Sequence, residues 1–109
     1  MSIAADLIRG HTETIILAQL YERDSYGYEI NKRIQELTDG AYELKEATLY
    51  STFRRLEKNG MIESYWGDQN TGARRRYYTI TDLGRAQLEQ NKEEWIQSRK
   101  LIDRMILGA

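Results

Sequence analysis

EATLYSTFRRLEKNGMIESYW, residues 46–66, decides how the rest of the chain is read. Leu49, Phe53 and Leu56 recur at i, i+4 and i+7, the spacing of one buried helical face. That period predicts a helix over residues 46–59, closed by Gly60 in the left-handed conformation after the last turn. With the three apolar residues turned inward, Ala47, Ser51, Arg54 and Lys58 lie on the opposite side. Thr48 and Arg55 stand on one flank and Tyr50 on the other. This outer face is short-chained, hydroxylated and basic. Small hydroxyls permit close approach to base edges, and an arginine can reach a guanine edge or a phosphate. Taken alone, the helix is better explained by a solvated face with ordinary charges, so its neighbours must decide.

Immediately downstream, residues 61–66 read as a strand, 67–73 (GDQNTGA) as a polar turn and 74–80 (RRRYYTI) as a second strand. The pair makes a β-hairpin. Strand alternation puts Tyr78 and Ile80 on one face, with Arg76 and Arg74 further along it. Tyr77, Thr79 and Arg75 share the other face. Three consecutive arginines repel one another, and a fold needs none of them for stability. A polyanion nearby turns that cost into a gain. A basic hairpin directly after a polar, basic helix face therefore tips the balance towards nucleic acid.

Working outward, residues 4–22 carry the apolar run Ile15-Ile16-Leu17-Ala18 and predict a mostly buried helix with a weak point at Gly10. Asp24-Ser25 offers an N-cap for a second helix, in which Ile30, Ile34 and Leu37 share one face. Asp39-Gly40 ends it, with Gly40 as the left-handed residue. On the far side of the hairpin, Thr81 caps a long helix running to about residue 107, roughly 40 Å. The order is helix, helix, helix, hairpin, long helix. The expected fold is mainly α with a small β-hairpin: a winged helix-turn-helix over residues 1–81 and a long C-terminal dimerisation helix over 82–109.

In the long helix Leu88, Trp95 and Ile102 repeat every seven residues, with Ile106 near the same line and Leu101 and Met105 widening it. Glu89, Glu93, Gln97, Lys100 and Arg104 occupy the far side. Such a stripe must be covered, and a second copy of the chain is the simplest cover. Folding back on its own domain is the alternative.

Composition narrows the classes. The chain has 109 residues, no cysteine and a single histidine, His11, which leaves no thiolate metal site or disulfide and counts against a His-based metal cluster or a Ser-His triad within one chain. Neither Glu93-Glu94 nor the pair Glu43 and Glu46 has an accompanying nucleophile, phosphate loop or metal spacing. No metal or cofactor is expected, nor an enzyme. No apolar run reaches bilayer length and no signal pattern opens the chain, so a soluble, cytoplasmic protein is expected. The net charge of −1 hides segregation: residues 44–76 hold seven cations and four anions, the remainder nine and thirteen.

TLYSTFRRLEKNGMIES (48–64) followed by RRRYYTITDLGR (74–85) resembles the PadR-type transcriptional regulators. YGYEI (26–30) and LIRGHTE (7–13) resemble that family's earlier elements, so the likeness covers nearly the whole chain. Residues 46–68 are most similar to the multidrug-responsive repressor branch of its short forms. The resemblance implies a homodimer in which the C-terminal helix packs on the partner's N-terminal helix, drawing on Leu7, Ile8, Leu88, Trp95, Leu101, Ile102, Met105 and Ile106. It also implies binding to a palindromic double-stranded operator and repression of nearby genes. In the multidrug branch it implies a central pore where a tryptophan, matched here by Trp95, stacks on planar aromatic molecules.

The expected DNA contacts are Thr48, Ser51 and Arg54 near bases, assisted by Tyr50 and Lys45, with Arg74, Arg75 and Arg76 on phosphate or in the minor groove. The corresponding ligand set is Glu13, Leu17, Leu88, Asn91, Trp95 and Arg99. Asn91, Lys92 and Arg99 make the surround of Trp95 more polar than the branch pattern, and Glu13 is expected to face them. Trp95 keeps two readings, interface packing or the wall of a ligand site. A winged-helix protein-interaction adaptor without DNA is the rival function.

Overall fold

The computed structural model describes residues 4–67 and 74–108. Its elements are α1 (Ala4–Ile8), a 3₁₀ turn (Arg9–His11), α2 (Thr12–Glu22), α3 (Gly27–Leu37), α4 (Glu46–Lys58), β1 (Ile62–Trp66), β2 (Arg76–Ile80) and α5 (Asp82–Leu107). The order matches the expected one, with local corrections. The first helix is broken at Arg9–His11, around the Gly10 foreseen as its weak point. His11 leaves helical geometry, and Thr12 restarts the helix with its hydroxyl donating to the Arg9 carbonyl at 3.0 Å.

α3 is not capped by Asp24 or Ser25. Its N-cap is Tyr26, without a side-chain cap bond, and the Ser25 hydroxyl donates instead to Glu29 Oε1. Leu37 is not buried as expected: it is 67% exposed at the last residue of α3, while Ile34 three residues before it lies in the core. The left-handed residue after α3 is Asp39 first and then Gly40. The Gly40 N–H donates to the Gln35 carbonyl and the Asp39 N–H to that of Glu36, which together close a Schellman turn. α4 ends in the same way, with Gly60 in the expected place.

β1 and β2 are antiparallel, in a register pairing Ile62 with Ile80, Ser64 with Tyr78 and Trp66 with Arg76. Arg74 and Arg75, expected inside the strand, precede it. Most of the expected 67–73 turn lies outside the described residues. Ser25 and Tyr78 exchange both backbone hydrogen bonds, at 3.2 and 2.8 Å, so the segment between α2 and α3 lies along β2 as a one-residue third strand.

One core joins all of this: Ile16, Leu17 and Leu20 from α2, Ile30 and Ile34 from α3, Leu44, then Leu49, Phe53 and Leu56 from α4. Ile62, Tyr78 and Ile80 close it from the hairpin, and Leu88 from α5. The first two turns of α5 thus belong to the same core. Gly84 makes that possible: a Cβ there would run into the Met61 carbonyl oxygen. Thr81 caps α5 as expected, its hydroxyl accepting from the Gly84 N–H at 3.0 Å. Beyond Leu88 no described residue of α5 is buried. Trp95, Leu101, Ile102, Met105 and Ile106 stand exposed along one side of it.

Candidate nucleic-acid interface

α4 turns Leu49, Thr52, Phe53 and Leu56 into the core. Thr48 and Arg54 are exposed and Ser51 half-buried, the latter donating to the Thr48 carbonyl at 3.1 Å. The helix leaves these three on a common outward side, as its period requires. Lys45 is the N-cap residue, exposed and without a side-chain cap bond. The approach to it is fixed by Asn31, which the sequence reading passed over. Its amide donates to the Leu44 carbonyl at 2.7 Å and accepts from the Leu44 N–H at 2.8 Å. An asparagine clasping a backbone thirteen residues away has no periodic signature, so only the folded chain reveals it.

Tyr50 is more structural than expected. Its ring meets Phe53 edge-on at 5.7 Å, and its hydroxyl lies only 2.9 Å from where a Cβ on Gly27 would stand. The ring therefore fills the gap between the start of α3 and α4 while remaining 40% exposed.

The hairpin is locked to α4 on its core side. Tyr78 stacks on Phe53 with centroids 4.0 Å apart. Burial pushes its phenol above the ordinary tyrosine range, against an opposing pull from Arg76. One turn on, Ser64 donates to Glu57 Oε2 at 2.7 Å, and Arg76 donates to Ser64 Oγ at 2.8 Å while lying 3.7 Å from Glu57 Oε1. The other face of the hairpin is aromatic. Tyr65 stacks on Tyr77 at 5.7 Å, and Tyr77 meets Tyr26 edge-on at 5.2 Å. The Tyr65 hydroxyl donates to Asp24 Oδ2 at 2.7 Å. That bond, then partial burial and the Asp24 charge, push its pKa up to about 12.

Each wing arginine lies over an aromatic ring. The Arg74 guanidinium carbon is 4.9 Å from the Trp66 ring centre, Arg75 is 4.9 Å from that of Tyr26, and Arg76 is 5.9 Å from Trp66. Trp66 and Tyr26 were both missed in the sequence, where an aromatic near an arginine run carries no pairing information.

The expected ligand residues separate. Leu17 and Leu88 are both 0% exposed in the protomer's own core, so neither is free to line a site or an interface between subunits. Glu13 does not face Asn91 or Arg99: it accepts from Arg55 Nε at 3.2 Å, across to α4. Asn91 donates to Thr14 Oγ1 at 2.9 Å and accepts from Gln87 at 2.8 Å. Trp95 remains 44% exposed and is met edge-on by His11 at 5.0 Å. Leu7 is exposed and Ile8 half-buried.

Comparison with known proteins gives this arrangement a context. A family model described as "Transcriptional regulator PadR-like family" matches residues 16–90. A transcriptional regulator from Clostridium thermocellum is 51% identical with a TM-score of 0.85, over 93% of this chain and 98% of the other. A PadR family transcription regulator from Clostridium difficile is 34% identical with a TM-score of 0.79, over 88% of this chain and 98% of that one. Bacillus subtilis PadR, solved in complex with operator DNA, is 25% identical with a TM-score of 0.64, over 72% of this chain and 45% of the other.

Proposed function

Because the chain belongs to the PadR-like family of transcriptional regulators, we propose that it is a homodimeric repressor of the cytoplasm that binds a palindromic DNA operator through α4 and the hairpin wing. One observation carries the reading: an outward helix face bearing Thr48, Ser51 and Arg54 is bolted to a hairpin that carries three arginines. In a dimer, two α4 helices enter successive major grooves about one DNA turn, roughly 34 Å, apart. Thr48, Ser51 and Arg54 meet base edges, Lys45 and Tyr50 assist, and the wing grips the backbone. The operator complex of Bacillus subtilis PadR, a relative of the same fold, supports this mode.

Residues 1–81 form the DNA-binding part and 82–109 the dimerisation helix, whose first turns also share the core. The exposed residues Leu101, Ile102, Met105 and Ile106 supply a stripe for a second copy, joined by Leu7 and Ile8. Trp95 lies on the same stretch, and a planar aromatic ligand held there between subunits would release the operator. Asn91 and Arg99 remain as polar neighbours of that site, whereas Leu17 and Leu88 do not.

The test is affinity for a labelled duplex from just upstream of the protein's own gene, titrated with salt, with and without planar aromatic compounds. Specific binding that weakens steeply with salt is expected, since each phosphate contact contributes about 0.9 to the log–log slope. Absent or salt-insensitive binding would favour the protein-interaction adaptor. Trp95→Ala should retain DNA affinity and lose any response to the aromatic compounds. A monomeric variant would instead make Trp95 interface packing.

A further inference from the structure

Building on the DNA-binding reading, we infer that the three wing arginines have separate roles. Arg74 and Arg75 are the phosphate contacts, presented by Trp66 and Tyr26 as positioning residues, and Arg76 is a strut that fastens the wing to α4.

How each guanidinium is held distinguishes them. Stacking on a ring occupies the flat face of a guanidinium and leaves its in-plane N–H groups free to take an anion. An ion pair or hydrogen bond occupies those N–H groups. Arg76 is held by its N–H groups: one donates to Ser64 Oγ at 2.8 Å, on the same nitrogen that lies 3.7 Å from Glu57. Ser64 in turn donates to Glu57, so the three side chains close a ring between β1, β2 and α4. A phosphate would have to approach an arginine whose charge Glu57 already offsets. Few counterions would be released in exchange.

Arg74 and Arg75 are set over rings instead, each guanidinium carbon 4.9 Å from a ring centre, whereas Arg76 is farther from its ring, 5.9 Å from the centre of Trp66. Among the described residues no carboxylate pairs with Arg74 or Arg75. Their two rings belong to different parts of the surface. Trp66 ends β1 and is 54% exposed, which makes it a platform rather than a core residue. Tyr26 comes from the segment before α3 and is buttressed in series by Tyr77 and Tyr65, the last tied to Asp24. Two long, flexible cations next to each other in sequence are thereby drawn to different supports. Each is ordered before DNA arrives, so less side-chain entropy is lost on binding.

The experiment uses the full-length protein and the same labelled duplex, with dissociation constants measured across a salt series and thermal unfolding followed for every variant. Arg74→Ala and Arg75→Ala each remove one contact per wing, two per dimer, and should each lower the slope by about 1.8. Arg76→Ala should leave the slope nearly unchanged and lower the melting temperature. Trp66→Ala keeps every charge, so it should lower affinity about three- to tenfold at an unchanged slope, with Trp66→Phe recovering most of the loss. A slope reduced as much by Arg76→Ala as by the other two would overturn the assignment. So would wild-type affinity in a folded Trp66→Ala protein. A wild-type protein that binds no duplex would remove the DNA-binding reading itself.

Discussion

A phenol that donates to a carboxylate resists ionisation, and Tyr65 does so to Asp24 at 2.7 Å. Its pKa of about 12 lies above the ordinary tyrosine value of 10.0. The fold therefore favours the neutral phenol. The contribution to stability is complete below pH 10.0 and is lost as pH rises towards about 12. Absorbance titration at 295 nm should find a late-ionising tyrosine that disappears in Tyr65→Phe and titrates earlier in Asp24→Asn. Gly84 gives a steric counterpart. Gly84→Ala forces a methyl against the Met61 carbonyl and Ile80, and should cost about 1–3 kcal/mol in denaturant unfolding. At this scale the sequence speaks unevenly. The inward turn of Leu49 and Phe53 is legible because three apolar residues share one period. The pairing of Glu13 with Arg55 is not, since it joins residues 42 apart through the packing of α2 on α4.

Elements whose hydrophobic period was strong came out as expected, apart from the later start of β2 at Arg76: α4, the two strands and α5 all follow from spacing and punctuation. Those that depended on one polar residue did not. Ser25 could cap a helix or support one from outside, and tertiary contact chose the second when its backbone was drawn onto Tyr78. The break between α1 and α2 was visible only as Gly10, because a short helix next to a longer one has little periodicity to show. Thr81 was the exception, a cap read correctly, and Thr81→Ala should cost about 1 kcal/mol in thermal or denaturant unfolding. The bridge from α2 to α4 should be worth less. Glu13 and Arg55 are 42% and 53% exposed at their side chains, so a double-mutant cycle should return a coupling of about 0–1 kcal/mol that shrinks with salt.

Over the whole molecule the dominant feature is the second half of α5, which carries Leu101, Ile102, Met105 and Ile106 outside the core of a body 56 × 32 × 21 Å in extent. Fold class was readable because glycines and caps separate elements of clear type. The candidate ligand site was less readable, because helical spacing alone cannot tell a residue's own core from a neighbour's surface. Leu88 and Trp95 fall on one stripe in sequence, yet the first is buried and the second exposed. Ile102→Asp should weaken self-association about tenfold to a hundredfold in sedimentation velocity, while unfolding of the DNA-binding part stays near wild type. The ring of Glu57, Ser64 and Arg76 bears on how such a dimer could respond to a signal. With wing and helix clipped together, each protomer of the proposed dimer would act as one solid jaw of a calliper. The gap between jaws is then the adjustable quantity, and spin labels across the dimer should register a regulatory change that labels spanning α4 and the wing of one protomer miss.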